Sequence, residues 1–254
     1  MNEQDIELAR RLADAAGAAI RPYFRARFDT ESKADDSPVT QADRAAEEAM
    51  RTILEAERPA DGIIGEEYGN VREGADRQWV LDPIDGTRSF IAGRPIFGTL
   101  IALMESGRPV LGLIDQPIAG ERWIGARYQP TTLNGVAVTT RACADLAQAY
   151  LATTGPSYFA DDELARFDQV RAGAKGALYG GDCYNYALLA SGHLDLVIES
   201  GLKLYDFAAL VPVVEGAGGR MCDWHGARLG AESDGQIVAA GDPALIEVVL
   251  DRLS

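Results

Sequence analysis

Two rhythms share this chain, and they change over near residue 148. Before that point, short apolar runs follow one another with turn residues between them. Phe97 to Met104 and Pro109 to Ile114 flank Glu105-Ser106-Gly107-Arg108, the spacing of a hairpin. Arg122 to Ala126 and Ala137 to Thr139 extend the same antiparallel sheet, while Ile63-Ile64 and Trp79-Val80-Leu81 are short strands that run into acidic loops. Beyond residue 148, strands alternate with helices. The strands are Tyr150 to Thr153, Ala177 to Tyr179, Leu194 to Ile198 and Gln236 to Ala240. The helices are Asp161 to Arg171, Cys183 to Ala190, Phe207 to Val214 and Pro243 to Leu253. The pattern predicts an α+β half, residues 1–145, packed tightly against an α/β half, residues 146–254.

Two helices precede the strands. Leu8, Leu12, Ala16, Ile20 and Phe24 recur every four residues, which predicts a helix over 6–24. Thr40 is placed to cap a second helix, with Asp43 at the capping-box position, and Pro59 and Asp61-Gly62 end it.

Composition narrows the function. The formal net charge is −15, so the surface repels nucleic acid and anionic membranes. No run approaches the ~20 apolar residues of a membrane span, and the acidic N-terminus does not read as a signal peptide. The three cysteines are odd in number and lack CxxC spacing, which fits a reducing cytoplasm. The two histidines, His193 and His225, have no metal-ligand spacing and read as turn residues, which disfavours zinc.

Three segments carry acids at the ends of apolar runs: Gly65-Glu66-Glu67, Asp82-Pro83-Ile84-Asp85-Gly86-Thr87 and Tyr205-Asp206. In the second, Pro83 fixes a bend and Gly86 permits a turn that other residues resist. Asp82 and Asp85 can then converge with the Ile84 carbonyl between them, an oxygen set suited to Mg²⁺. The Gly86 and Thr87 amides, at a helix start, can hold a phosphate oxygen. Alone, such a turn is as readily a pair of capping acids as a metal site. Several carboxylates brought together repel one another unless cations bind between them.

At these residues the chain resembles the inositol monophosphatase family of lithium-sensitive phosphatases. Its GEE, WxxDPxDGT and PVTxxD elements stand here as Gly65-Glu66-Glu67, Trp79 to Thr87 and Pro38 to Asp43, in order. Two departures stand out in the family's WD…EAGG segment: Tyr205 precedes Asp206 where the family has Trp, and Gly216 takes the place of its glutamate. Glu215, one residue earlier, reads as helical surface. The segments Asp82 to Phe90, Gly98 to Leu103 and Ile114 to Gly125 are similar to the histidinol-phosphate phosphatase branch.

The resemblance implies an αβαβα layered sandwich, inositol monophosphatase / fructose-1,6-bisphosphatase-like. It implies that Glu66, Asp82, Asp85, Asp206 and the Ile84 carbonyl bind two or three Mg²⁺ per subunit. A water held by Glu66 and Thr87 would attack the phosphate, with Asp43 accepting a hydrogen bond from the Thr87 hydroxyl. Glu67 would stand behind the ligands or bind a weak third metal, and Lys33 could near the site. Gly86, Thr87 and Arg88 would hold phosphate, and Asp182 and Glu199 the rest of the substrate. The resemblance to the histidinol-phosphate phosphatase branch implies hydrolysis of L-histidinol phosphate in histidine biosynthesis, and carboxylates suit the amine and imidazole of histidinol. Inositol phosphate or another small monoester is the alternative. The family also implies a homodimer. Two other readings are weaker. A haloacid-dehalogenase phosphatase needs an N-terminal DxD, and a non-enzymatic binder would not need the full acid set.

Overall fold

The computed structural model describes residues 3–26 and 38–253. Helices α1 (Glu3–Ile20) and α2 (Pro38–Glu57) come first. Strands β1 (Gly62–Gly65), β2 (Gly69–Val71) and β3 (Arg77–Asp85) follow, then the short helix α3 (Thr87–Ile91). Strands β4 (Gly98–Glu105), β5 (Arg108–Gln116), β6 (Glu121–Ala126), β7 (Gln129–Leu133) and β8 (Val136–Ala137) complete an eight-stranded sheet in the order β2-β1-β3-β4-β5-β6-β7-β8. All its pairings are antiparallel except β1 with β3.

The rest of the chain is β9 (Tyr150–Thr153), α4 (Asp161–Gly173), β10 (Gly176–Tyr179), α5 (Asp182–Ala190), β11 (Leu196–Glu199), α6 (Leu204–Phe207), α7 (Leu210–Gly216), β12 (Arg220–Cys222), β13 (Ile237–Ala240) and α8 (Ala244–Leu253). Its five strands form a second sheet in the order β10-β9-β11-β13-β12.

Period-two alternation in the central strands sorts side chains to two apolar faces. Trp79, Leu81, Ile101 and Leu103 pack against α1 and α2. Val80, Leu100, Ala102 and Met104 face the opposite way, onto α5, α7 and the second sheet's Ala152, Val197 and Ala239. That sheet's other face, with Leu151, Ile198 and Val238, is covered by Phe167 and Val170 of α4 and Leu245, Ile246 and Val249 of α8. The layers therefore run αβαβα, as expected.

Three local expectations are corrected. α2 begins at Pro38, so Thr40 lies inside its first turn and is not the cap; proline is well placed at a helix start, its missing N–H costing nothing there. α1 ends at Ile20, before Phe24, although Phe24 still packs beside Phe90 and Phe97. The helix expected over 207–214 is two pieces, α6 and α7, which together reach beyond that span at both ends. Two glycines decide where those pieces sit. A Cβ on Gly112 would collide with the Ala209 carbonyl, and one on Gly125 with the Pro212 carbonyl, so the backbone of α7 lies directly on β5 and β6.

Candidate active site

The parallel pairing of β1 and β3 creates the site. Gly65 lies opposite Leu81, so the next residues, Glu66 just past β1 and Asp82 within β3, come side by side. The Glu66 amide donates to the Leu81 carbonyl at 3.3 Å, tying the two strand ends together. Beyond Asp82, β3 loses register with β4 until Asp85. Pro83 has no amide proton to give to the ladder, and its carbonyl accepts from the Thr99 hydroxyl at 2.8 Å. Gly86 then takes φ +87°, a left-handed turn in which a Cβ would also stand 2.8 Å from Asp182 Oδ2. α6 delivers Asp206, whose Oδ2 accepts from the Lys203 amide at 2.6 Å. One carboxylate oxygen each from Asp82, Asp85 and Asp206 then lies within 4.8 Å of the others.

Crowding in a dry place makes these acids hard to ionise. Burial pushes Asp82 and Asp85 well above the usual carboxylate range; the next largest influence is Asp85 on Asp82, and Asp182 on Asp85. Glu66 is pushed up to about 7, chiefly by burial and further by Asp206 and Glu67, against a lowering hydrogen bond with Asp82. Asp206 is pushed up to about 6 by burial, with the Lys203 amide working against it. Asp82 Oδ1 is buried and has no hydrogen-bond partner among the described residues. A buried acceptor without a donor is costly, and a cation removes that cost. The donors are all oxygen, which fits a hard divalent cation such as Mg²⁺ and not zinc.

Beside the acids lies a cleft of about 310 Å³, lined by Asp85, Gly86, Thr87, Arg88, Asp182 and Glu199 among others. Glu199 is 2% exposed at the end of β11. Its carboxylate accepts from the Thr154 amide (2.6 Å), the Thr154 hydroxyl (2.9 Å) and the Thr153 hydroxyl (3.1 Å). Burial outweighs those donors and pushes Glu199 up to about 7. Asp182 opens α5 at φ +46° and accepts from the Ser89 hydroxyl at 2.9 Å. The next amide, Cys183, donates to Asp85 Oδ2 at 2.6 Å, so the start of α5 braces an acid of the cluster. Arg88 packs its guanidinium over the Tyr158 ring at 5.0 Å, on the wall of the cleft.

Of the residues singled out in the sequence, Asp82, Asp85 and Asp206 converge, Glu66 lies beside Asp82, and Gly86, Thr87, Arg88, Asp182 and Glu199 line the adjoining cleft, while the expected contact of Thr87 with Asp43 is not made. The Thr87 hydroxyl donates to the Ile84 carbonyl at 3.3 Å and not to Asp43. The left-handed turn at Gly86 folds Thr87 back over the carbonyl three residues earlier. Asp43 is 5% exposed, its Oδ1 has no partner among the described residues, and burial together with Glu66 and Glu67 pushes it up to about 8. Glu67 pairs with Arg44 at 3.5 Å. Lys33 lies outside the described residues.

Sequence reasoning passed over Glu47, Thr153, Thr154 and Tyr158. Glu47 had a signal: it stands four residues after Asp43, on the same face of α2. The threonines and the tyrosine had none, because only the second sheet's packing carries them to the cleft.

Fold and site together define a class: layered αβαβα sandwiches built around a buried acidic cluster that could hold a metal ion. The sequence pattern of the inositol monophosphatase family matches residues 1–253. The bifunctional phosphatase IMPL2, chloroplastic, of Arabidopsis thaliana is 55% identical over 95% of this chain and 72% of its own length. The histidinol-phosphatase of Chlorobaculum parvum is 38% identical over 92% of each chain. A solved inositol monophosphatase from Zymomonas mobilis is 58% identical and superposes with TM-score 0.94, covering 99% of this chain and 98% of that one. The chain belongs to the inositol monophosphatase family, and like its relatives it is a phosphoric monoester hydrolase.

Proposed function

We propose that this chain is a Mg²⁺-dependent phosphatase that converts L-histidinol phosphate to L-histidinol and phosphate. One observation carries the substrate: beside the acid cluster the cleft holds further carboxylates, Glu199 and Asp182. They suit a leaving group that carries an ammonium and an imidazole. The name of the Chlorobaculum relative points the same way. A second reading, an inositol phosphate, is favoured by the Zymomonas structure at 58% identity.

Glu66, Asp82, Asp85, Asp206 and the Ile84 carbonyl would hold the cations. When bound, these would neutralise the phosphate dianion and acidify a water. The chain's own residues do the rest. The Gly86 and Thr87 amides, at the start of α3, would hold a phosphate oxygen. Glu66 Oε takes the proton of the attacking water, which the Thr87 hydroxyl helps to orient. Asp43, with its free Oδ1, is a second proton-holding carboxylate beside Glu66. Arg88, held on Tyr158, supplies positive charge at the phosphate end of the cleft.

The boundary proposed at 145/146 falls between the two sheets, with Asp206 and the substrate-side acids beyond it. A homodimer is part of the proposal, supported by the exposed apolar side chains of Ile91, Leu178 and Tyr179. So is a cytoplasmic location, supported by the three free cysteines. No described helix is long and apolar enough to cross a membrane.

The deciding experiment is phosphate release from histidinol phosphate and from inositol 1-phosphate, each with and without Mg²⁺. Higher kcat/KM on histidinol phosphate, lost with chelator and reduced by millimolar lithium, is expected. Preference for inositol phosphate overturns the substrate, and undiminished turnover in chelator overturns the metal.

A further inference from the structure

We propose that Glu47 is a positioning residue: with Arg51 it clamps the Glu66-Glu67-Tyr68 turn, and so aims Glu66 at the acid cluster. β1 and β2 pair antiparallel with Gly65 opposite Gly69, which leaves those three residues as a tight hairpin tip. A tip of this size has few ways to satisfy its amides. The Glu66 amide is taken by the Leu81 carbonyl. The other two converge on Glu47, which is 0% exposed: the Glu67 amide donates to Oε2 at 2.8 Å and the Tyr68 amide to Oε1 at 3.2 Å.

The clamp is closed from the other side. Arg51, one helical turn on, donates Nε to Glu47 Oε1 at 2.7 Å and its terminal nitrogen to the Gly69 carbonyl. The guanidinium thus holds the carboxylate and the far strand at once. Gly65 must be glycine for this to fit, because a Cβ there would run into the Glu47 carboxylate. A carboxylate accepts from both amides with both oxygens. A glutamine of the same shape turns one N–H₂ toward an amide donor and loses that contact. Nothing in the proposed chemistry requires an acid at this position; its contacts are all with the turn and with Arg51.

The inference rests on the metal-dependent reading above, and its tests separate the two. In Glu47→Gln, the Mg²⁺ concentration for half-maximal velocity should rise about tenfold or more, as when the partner of a metal-holding side chain is removed, while kcat at saturating Mg²⁺ changes far less. In the metal-free protein, hydrogen exchange at the Glu67 and Tyr68 amides should quicken by about tenfold, the loss of a hydrogen bond to a charged acceptor. Glu47→Asp, which keeps the charge but shortens the reach, should fall between. Asp195→Asn serves as the comparison. Asp195 is also fully buried and bonds Arg141 through both oxygens (2.6 and 2.5 Å), but just before β11 of the other sheet. It should lose stability with no change in Mg²⁺ half-saturation. If Glu47→Gln does not fold, Arg51→Gln takes its place with the same readouts. A variant with wild-type Mg²⁺ half-saturation, or with unchanged exchange at both amides, overturns the inference. A wild-type enzyme indifferent to Mg²⁺ overturns the metal reading instead, and the exchange experiment still decides the role of Glu47.

Discussion

Acids gather at both ends of strand β3, and the two ends treat them in opposite ways. At its start, Arg77 reaches Asp5 at 2.8 Å, Glu105 at 2.9 Å and Asp61 at 3.6 Å, and Arg58 adds a contact to Asp5 at 3.5 Å. At its finish, Asp82 and Asp85 meet Glu66 and Asp206, and the acid Asp82 keeps a buried oxygen with no donor. Similar numbers of carboxylates are gathered at each place. At one end the chain supplies the cation itself; at the other, no described lysine or arginine forms an ion pair with Glu66, Asp82, Asp85 or Asp206. That contrast, among the described residues, separates the acids proposed to hold a metal from the acids that hold the fold.

The largest test of this contrast removes one acid from the open end. Asp85→Asn should lower kcat by about 10³-fold, in the range seen when a principal electrostatic contact to a transition state is lost. The metal-free protein should melt no lower than wild type, because a buried acid crowded by Asp182 and Asp206 gives way to a neutral amide whose oxygen can still accept from the Cys183 amide. A near-normal rate would take Asp85 out of the metal-holding set, and a large drop in melting temperature would make its role structural.

The converse change strikes the closed end. Arg77→Gln leaves Asp5, 2% exposed, with weaker compensation, and should cost about 3 kcal/mol in denaturant unfolding. Mg²⁺ half-saturation should not move. A shift in it would mean that the two ends of the strand are coupled.

The third test is pH. Asp43 and Glu66 have folded values raised from 3.8 and 4.5 to about 8 and about 7. The folded state therefore binds more protons than the unfolded one between those limits. The metal-free protein should lose stability as pH rises from about 4 to about 8. Saturating Mg²⁺ should flatten that slope. Thermal melts across this range with chelator and with Mg²⁺ provide the check, and a rising stability in chelator would contradict the raised values.

The smallest effect belongs to Glu199, an acid whose donors are already in place. Glu199→Gln should raise KM for histidinol phosphate about tenfold more than KM for inositol phosphate, the worth of a hydrogen bond to a charged group. Equal effects on both substrates would give Glu199 a purely structural part.

Much of this was legible beforehand. The change of rhythm near residue 148 corresponds to the passage from one sheet to the other. The strand ends at Gly65 and Asp82 were legible because apolar runs stop abruptly at acids. Other parts were not. The break between α6 and α7 falls in a continuous apolar stretch that reads as one helix, and its position follows from backbone contact with Gly112 and Gly125 far away in sequence. The Thr87 hydroxyl was expected on Asp43 but is taken by a nearer carbonyl, Ile84. Glu47 was passed over because a glutamate on a helix face is ordinarily solvated, and only the hairpin beneath it makes this one buried.

The order of the residues alone determined which acids could matter and where the chain would turn, since strand periodicity, proline and glycine act over a few residues at most. Which acids would find an arginine and which would stay unpaired was settled only in three dimensions. That outcome depends on the parallel register of β1 with β3 and on the seating of α6 and α7 against the first sheet. Both are sums of contacts between segments far apart in the chain, and no local pattern carries them.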